Sequence, residues 1–241
     1  MNSSIKTIVP KIHLAKRSKF LQWLGKTLQK ISGWKVEGEI PNLKKFILVG
    51  APHTSNWDFV HALILIWAID LKINVLAKHT LFNFPFLKNI LSGIGGIPVD
   101  RDNPQLVVDE VSKLTEGDGG VIIGLTPEGT RKRVEKWKSG FLRIADQTES
   151  KIVLIGINFE TKTCSFSGFF EPTGDNDRDI EKALSLDADN KAALEYQGEL
   201  FVELEMPALA QANLEKLNIL CPNSCEEAEQ LKSFIAGTAV K

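Results

Sequence analysis

Cysteine is scarce and poorly spaced for a framework. The three present, Cys164, Cys221 and Cys225, are an odd number, so no disulfide scaffold is indicated and a reducing compartment is expected. Cys221 and Cys225 have no neighbouring histidine or second cysteine pair, which argues against a zinc site. Long apolar runs are missing as well. The longest, residues 59–69, contains His61 and stops at Asp70, well short of the roughly 20 residues that cross a bilayer. The N-terminus lacks the apolar core of a secretory signal, and its single arginine, Arg17, is a poor match to a transit peptide. A cytoplasmic protein is the expectation. Acids are absent from residues 1–36, which hold eight Lys/Arg, whereas residues 171–205 hold eleven acids against three bases. The net charge of −1 conceals this asymmetry. The basic front end suits an anionic surface, such as the inner face of a membrane, that the acidic back half would avoid. No nucleic-acid partner is expected.

What the chain does have is enough for one well-buried domain plus an appendage: 241 residues, 43% of them apolar and 24% charged, as in soluble globular proteins. Three segments are expected: a basic amphipathic stretch over 1–36, a domain over 37–173 and a helical tail over 174–241. Within the first, residues 17–31 read as a helix. Phe20, Leu21, Trp23, Leu24, Leu28 and Ile31 fall on one side of a 100° wheel, with Lys19, Gln22, Lys26, Gln29 and Lys30 opposite. Such a helix either lies in a membrane interface with Trp23 at the acyl boundary, or packs its apolar face onto the domain.

From residue 46 onward short apolar runs (46–49, 73–77, 96–99, 121–125 and 152–157) alternate with helix-length segments near 57–69, 85–93, 104–116 and 138–147. Uniformly apolar runs bounded by Gly or Pro suit strands buried on both faces. The expected fold is therefore α/β, a central sheet covered by helices, followed by an all-helical appendage. In that appendage Gly198, Phe201, Ala210 and Pro222 stand at the spacing of a tetratricopeptide repeat starting at Lys191, with Leu194 at an early apolar position. Ala183 sits where a preceding repeat would end. Gln197 replaces an expected apolar residue, and Pro207 opens the second helix early. A generic helical hairpin is the plainer reading. Fewer than three repeats rarely hold a core alone, so the tail is expected to pack on the domain or on a protein partner.

Three strand ends carry chemistry. His53 and Asp58, in Pro52-His53-Thr54-Ser55-Asn56-Trp57-Asp58, follow the run 46–49. In α/β proteins functional groups gather at the carboxyl ends of strands. A neutral imidazole there can take a proton from an attacking alcohol, and a carboxylate behind it fixes the tautomer and stabilises the imidazolium. With Ser55 as N-cap, Asp58 falls at the third helical position, which also suits a plain capping box beside an ordinary loop histidine. Pro127-Glu128-Gly129-Thr130-Arg131 follows the run 121–125. Gly129 lets the backbone turn and approach a ligand, and Arg131 can grip a phosphate through two parallel hydrogen bonds. Lys132, Arg133, Lys136 and Lys138 add positive field; a polar turn into a solvated basic helix is the alternative. The third end, Asp100-Arg101-Asp102, offers either another phosphate-binding arginine or a local salt bridge.

Residues 46–160 resemble the glycerolipid acyltransferase family. Its first motif, a His, four residues and an Asp, is matched by His53 and Asp58. Its second, an arginine after an apolar strand, is matched by Gly96-Ile97-Pro98-Val99-Asp100-Arg101, and its third, Pro-Glu-Gly-Thr-Arg, in full by residues 127–131. The chain departs from the pattern at Pro52, where many members have Asn, and at Leu154-Ile155-Gly156-Ile157, which lacks the proline of the fourth motif. The resemblance implies transfer of a fatty acyl group from acyl-CoA or acyl-carrier protein, as co-substrate, to a hydroxyl of a lysophospholipid such as 1-acylglycerol-3-phosphate. It implies His53 as general base and Asp58 as its partner. It also implies Arg101, Glu128, Gly129, Thr130 and Arg131 around the acceptor's phosphate, and no metal or resident cofactor. Two alternatives stand beside it: a different lyso-lipid or aminolipid acceptor, and a non-catalytic lipid-binding module with a protein-interaction tail.

Overall fold

The computed structural model describes residues 9–51, 55–100, 103–129, 137–159, 161–185, 191–203 and 206–238. Two compact units divide the chain, Met1–Gly174 and Asp175–Lys241.

The first unit begins with α1, Lys19–Ser32. Ser18 caps it by accepting from Leu21 N–H, and Gly33, at φ 77°, ends it by returning its N–H to Gln29 O. Both are standard helix punctuation. Seven strands follow in a single sheet: β1 Lys35–Glu37, β2 Lys45–Ala51, β3 Asn74–Lys78, β4 Gly96–Val99, β5 Val121–Leu125, β6 Lys151–Asn158 and β7 Thr163–Phe170. Helices α2 Asn56–Ala68, α3 Pro85–Gly93, α4 Pro104–Thr115 and α5 Gly140–Gln147 connect them. The strand order is β1-β7-β6-β2-β5-β3-β4, and only the β6–β7 pair is antiparallel.

Each apolar run expected as a strand forms one, because both sheet faces are covered. Along β2, Phe46 and Leu48 join Leu63 and Ile66 of α2 in one core, with Ile122 of β5, Val153 of β6 and Ile73 just before β3. Ile47 and Val49 point to the other face and are as fully buried. Burial of each such side chain stabilises by about 1.5–3 kcal/mol. Strands β1 and β7 were not anticipated. Their sequences, Lys35-Val36-Glu37 and Thr163-Cys164-Ser165-Phe166-Ser167-Gly168-Phe169-Phe170, are too short or too mixed to show a clean period. They form by pairing: β7 takes the free side of β6, and β1 in turn takes the free side of β7.

Helix α1 lies against α2. A Cβ on Gly25 would sit 2.5 Å from Ala68 N, so only glycine permits that approach. The apolar stripe of α1 is thereby divided: Leu21, Leu24 and Leu28 are half-buried, while Phe20, Trp23 and Ile31 remain exposed. The packing expected of the helix is thus met by its leucines, and the other three apolar side chains are left uncovered. Ahead of α1, Asp70 (φ 56°) accepts the amides of Lys16 and Arg17. The buried His13 donates from Nε2 to Leu43 O at 2.7 Å.

The second unit contains α6 Asn176–Ser185, α7 Lys191–Glu203, α8 Pro207–Leu220 and α9 Glu226–Thr238. Leu194, Leu214, Leu217, Ala228 and Leu231 form its core. Phe201 and Ala210 are buried too, and a Cβ on Gly198 would meet Leu231 at 2.5 Å. Gln197 is buried, and its Oε1 accepts from Asn213 Nδ2 at 3.0 Å, so a polar cross-link stands where an apolar contact was expected. Cys221 and Cys225 are joined by a disulfide with Cα atoms 5.7 Å apart. The cysteine count gave no hint of this pairing. It arises because Ser224 takes φ 67° and reverses the chain between the two.

Candidate active site

Strands β2, β3, β4, β5 and β6 are mutually parallel, so their carboxyl ends share one edge of the sheet. Val49 pairs with Leu125, Ala51 with Gly156, and Lys78 with Val99. The segments leaving this edge are the one that carries His53, the Pro127 turn, His79 and the segment that carries Arg101. Neighbouring strands lie about 4.8 Å apart. The end of β2 is thus one spacing from that of β5, and three spacings, about 14 Å, from that of β4. His53, Arg101, Thr130 and Arg131 lie outside the described residues, as do Lys132, Arg133 and Lys136.

Asp58 is described. It occupies the third position of α2 and is 7% exposed. Its Oδ2 accepts the Ser55 amide at 2.8 Å, while Ser55 Oγ accepts the Trp57 amide at 3.1 Å. This is a complete capping box. Capping engages Oδ2 alone, and a carboxylate has a second oxygen. The cap and the partner of a base are compatible roles for one side chain.

The surroundings of Asp58 were not legible in the sequence. Cys164, buried on β7, has its thiol pushed up to about 12 by burial and then by the Asp58 carboxylate. It stays protonated at neutral pH and is a poor nucleophile, so a covalent acyl-cysteine route is disfavoured. Trp34 stacks on His61 with ring centroids 4.8 Å apart and meets Phe159 edge-on at 5.6 Å. Trp57 tilts against His61 at 6.4 Å. His61 is three residues along the helix from Asp58 and therefore on the same face; that spacing was the signal available beforehand. Trp57 is 66% exposed and Phe159 37%, so this group shows an apolar wall beside the buried carboxylate.

The Pro127 turn is closed by Gly129 N–H donating to Thr126 O at 3.2 Å, with Gly129 at φ 61°. Lys138 N–H donates to Pro127 O at 3.0 Å, tying residue 138 back to the turn. The Lys138 side chain lies over Gly129: a Cβ there would be 3.2 Å from Lys138 Cδ and 3.3 Å from Nζ. Among the described residues Lys138 makes no ion pair. The exposed ammonium thus sits at the head of the turn whose next residues are Thr130 and Arg131. At the neighbouring ends, a His79 ring nitrogen bonds Val99 O at 3.2 Å and Asn103 Nδ2 donates to Asp100 at 2.9 Å. No group of three or more His, Cys, Asp or Glu among the described residues has the arrangement of a metal site. No described helix is long and apolar enough to cross a membrane.

The fold is α/β, with a capped, buried carboxylate in the helix after β2 and a glycine turn after the neighbouring β5, and comparison with known proteins gives the class. A family model described as acyltransferase matches residues 34–158, over half of the chain, and the chain belongs to this family. A curated relative, the 1-acyl-sn-glycerol-3-phosphate acyltransferase of Borreliella burgdorferi, is 30% identical over 136 residues, 53% of each protein. The chain therefore spans about half the length of that relative. Among solved structures, the 1-acyl-sn-glycerophosphate (LPA) acyltransferase PlsC of Thermotoga maritima aligns with a TM-score of 0.46 at 20% identity, covering 65% of this chain and 69% of that one.

Proposed function

We propose that this protein transfers a fatty acyl group from an acyl thioester, carried by CoA or acyl-carrier protein, to a hydroxyl of a lysophospholipid such as 1-acylglycerol-3-phosphate. The observation that carries this reading is the adjacency of β2 and β5. It brings the strand that precedes His53 beside the strand that precedes Glu128 and Gly129, with Asp58 buried in the first turn of α2. In the proposed step the His53 imidazole removes the proton from the acceptor hydroxyl as its oxygen attacks the thioester carbonyl. The C–S bond breaks, and the imidazolium returns its proton to the leaving thiolate. Asp58 holds the imidazole and balances its charge. Glu128, Gly129, Thr130 and Arg131, with Arg101 from the segment that follows β4 in sequence, would surround the acceptor's phosphate. The wall of Trp57 and Phe159 takes apolar parts of the substrates. No metal or resident cofactor enters this scheme.

The exposed Phe20, Trp23 and Ile31 on α1, among lysines and in an acid-free stretch, support a peripheral seat on the inner face of a membrane. In the tail, Leu209 and Ile219 are exposed on α8, which supports a protein partner for this repeat-like unit. The test of function incubates purified protein with labelled acyl-CoA or acyl-carrier protein and a panel of lyso-lipids, with His53→Ala as blank. A drop of about two to four orders of magnitude with an intact circular-dichroism spectrum is expected. Full turnover by His53→Ala would remove the mechanism. Saturable lipid binding without turnover by the wild type would favour the non-catalytic module instead.

A further inference from the structure

An open groove of about 420 Å³ lies between α1 and α3, large enough for one small ligand. Arg17, Leu21, Trp67, Phe86, Ile90 and Gly93 line it. Phe86, Ile90 and Gly93 stand at the i, i+4, i+7 spacing of one α3 face, which makes a continuous apolar wall interrupted by no carboxylate. Phe86 at its rim is 76% exposed. None of these residues belongs to the acyl-transfer site.

The charged element is Arg17, whose side chain is only 10% exposed; the neutral amide of Asn89 is the other polar group of the lining. Its Nη1 donates to Leu71 O at 2.8 Å. The nearest carboxylate, Asp70, already accepts two backbone amides, at 3.0 and 3.1 Å. Its contact to the guanidinium is a looser 3.7 Å. Nε and Nη2 have no hydrogen-bond partner among the described residues, and Arg17 is part of the lining of the groove. A guanidinium with two uncommitted donors at an apolar groove matches a ligand with a small oxyanion and one chain. The acid-free stretch around it, with Lys16 and Lys19 exposed, adds a field of the same sign.

We infer that the groove between α1 and α3 is a binding site for a single-chain anionic amphiphile, a fatty carboxylate or an alkyl phosphate, with its headgroup on Arg17 and its chain along Phe86, Ile90 and Gly93. The site stands apart from the acyl-transfer reading and survives its failure.

Equilibrium titration of the full chain with dodecanoate, dodecyl phosphate, dodecanol and dodecyltrimethylammonium, each below its micelle concentration, tests this. One saturable site is expected for the two anions, with the cation at least tenfold weaker. Arg17→Met should erase that preference, but Arg17 also ties down Leu71, so a second variant is needed. Gly93→Leu is suited: a Cβ there meets nothing within 4 Å, so the helix keeps its packing while the side chain fills the groove. It should weaken both anions at least tenfold with an unchanged melting temperature, and His53→Ala should leave their binding unaltered. Undiminished binding by Gly93→Leu, equal affinity for the cationic chain, loss of binding in His53→Ala, or binding to anionic vesicles alone would each overturn the site.

Discussion

Asp58→Asn separates the cap that this carboxylate forms from the role proposed for it beside the base. The amide oxygen of asparagine can still accept the Ser55 amide that Asp58 Oδ2 accepts at 2.8 Å, so the capping box survives. What disappears is a negative charge in the first turn of α2, worth about 0.3–1 kcal/mol against the helix dipole. In a chain of this size that lowers the melting temperature by about 1–4 °C. The catalytic cost is larger. An amide cannot stabilise an imidazolium and can hold the histidine in the wrong tautomer, so transfer should fall by about two to four orders of magnitude. On a rate scale that is about 3–5 kcal/mol, several times the stability cost. The assay pairs a thermal melt followed by circular dichroism with initial rates of thiol release from acyl-CoA. If the melt shifts as stated while the rate falls less than tenfold, Asp58 is a helix cap and nothing more, and the reasoning fails.

Arg131→Ala should raise KM for a phosphorylated acceptor at least tenfold and scarcely affect an unphosphorylated one, and Lys138→Met should do the same more weakly; equal losses for both acceptors would argue against a phosphate grip. Gly129→Ala places a side chain at φ 61° with Lys138 only 3.2 Å away. It should cost about 1–2 kcal/mol in a denaturant titration and raise the acceptor KM, whereas an unchanged KM would detach the turn from acceptor binding. His13 has its pKa held below the ordinary value of 6.5, chiefly by burial. The unfolded chain therefore binds the proton first. Stability is full above about pH 6.5 and declines as pH falls toward the folded value; the urea midpoint should drop between pH 7.5 and 5.5, and His13→Gln should flatten that slope. A His13→Gln midpoint that falls as steeply as the wild type's would show that His13 is not the group responsible.

Much of the frame was legible because burial writes itself into composition. A strand covered on both faces must be apolar throughout, and residues 96–99 and 121–125 coincide with β4 and β5. Pro85 and Pro104 open α3 and α4 where the expected helices begin, since proline suits the first turn. The Ser55–Asp58 box was readable for the same local reason. β1 and β7 were not legible, because a short or compositionally mixed strand takes its stability from the partners it pairs with rather than from its own period. The Cys221–Cys225 bond was missed because four residues can span 5.7 Å only after the turn at Ser224 is known.

The chain by itself determined which residues are apolar enough to form strands, where helices start and stop, and which histidine, carboxylate and arginines follow strand ends. These depend on interactions within a few residues, so a linear pattern suffices. Only the tertiary structure decided that β2 lies beside β5 rather than beside β3, that Cys164 and the ring of Trp34 come up against the helix bearing Asp58, and that Arg17 is left with uncommitted donors over an apolar groove. Those facts arise from contacts between residues tens of positions apart, whose partners are chosen by the packing of the whole sheet and its covering helices.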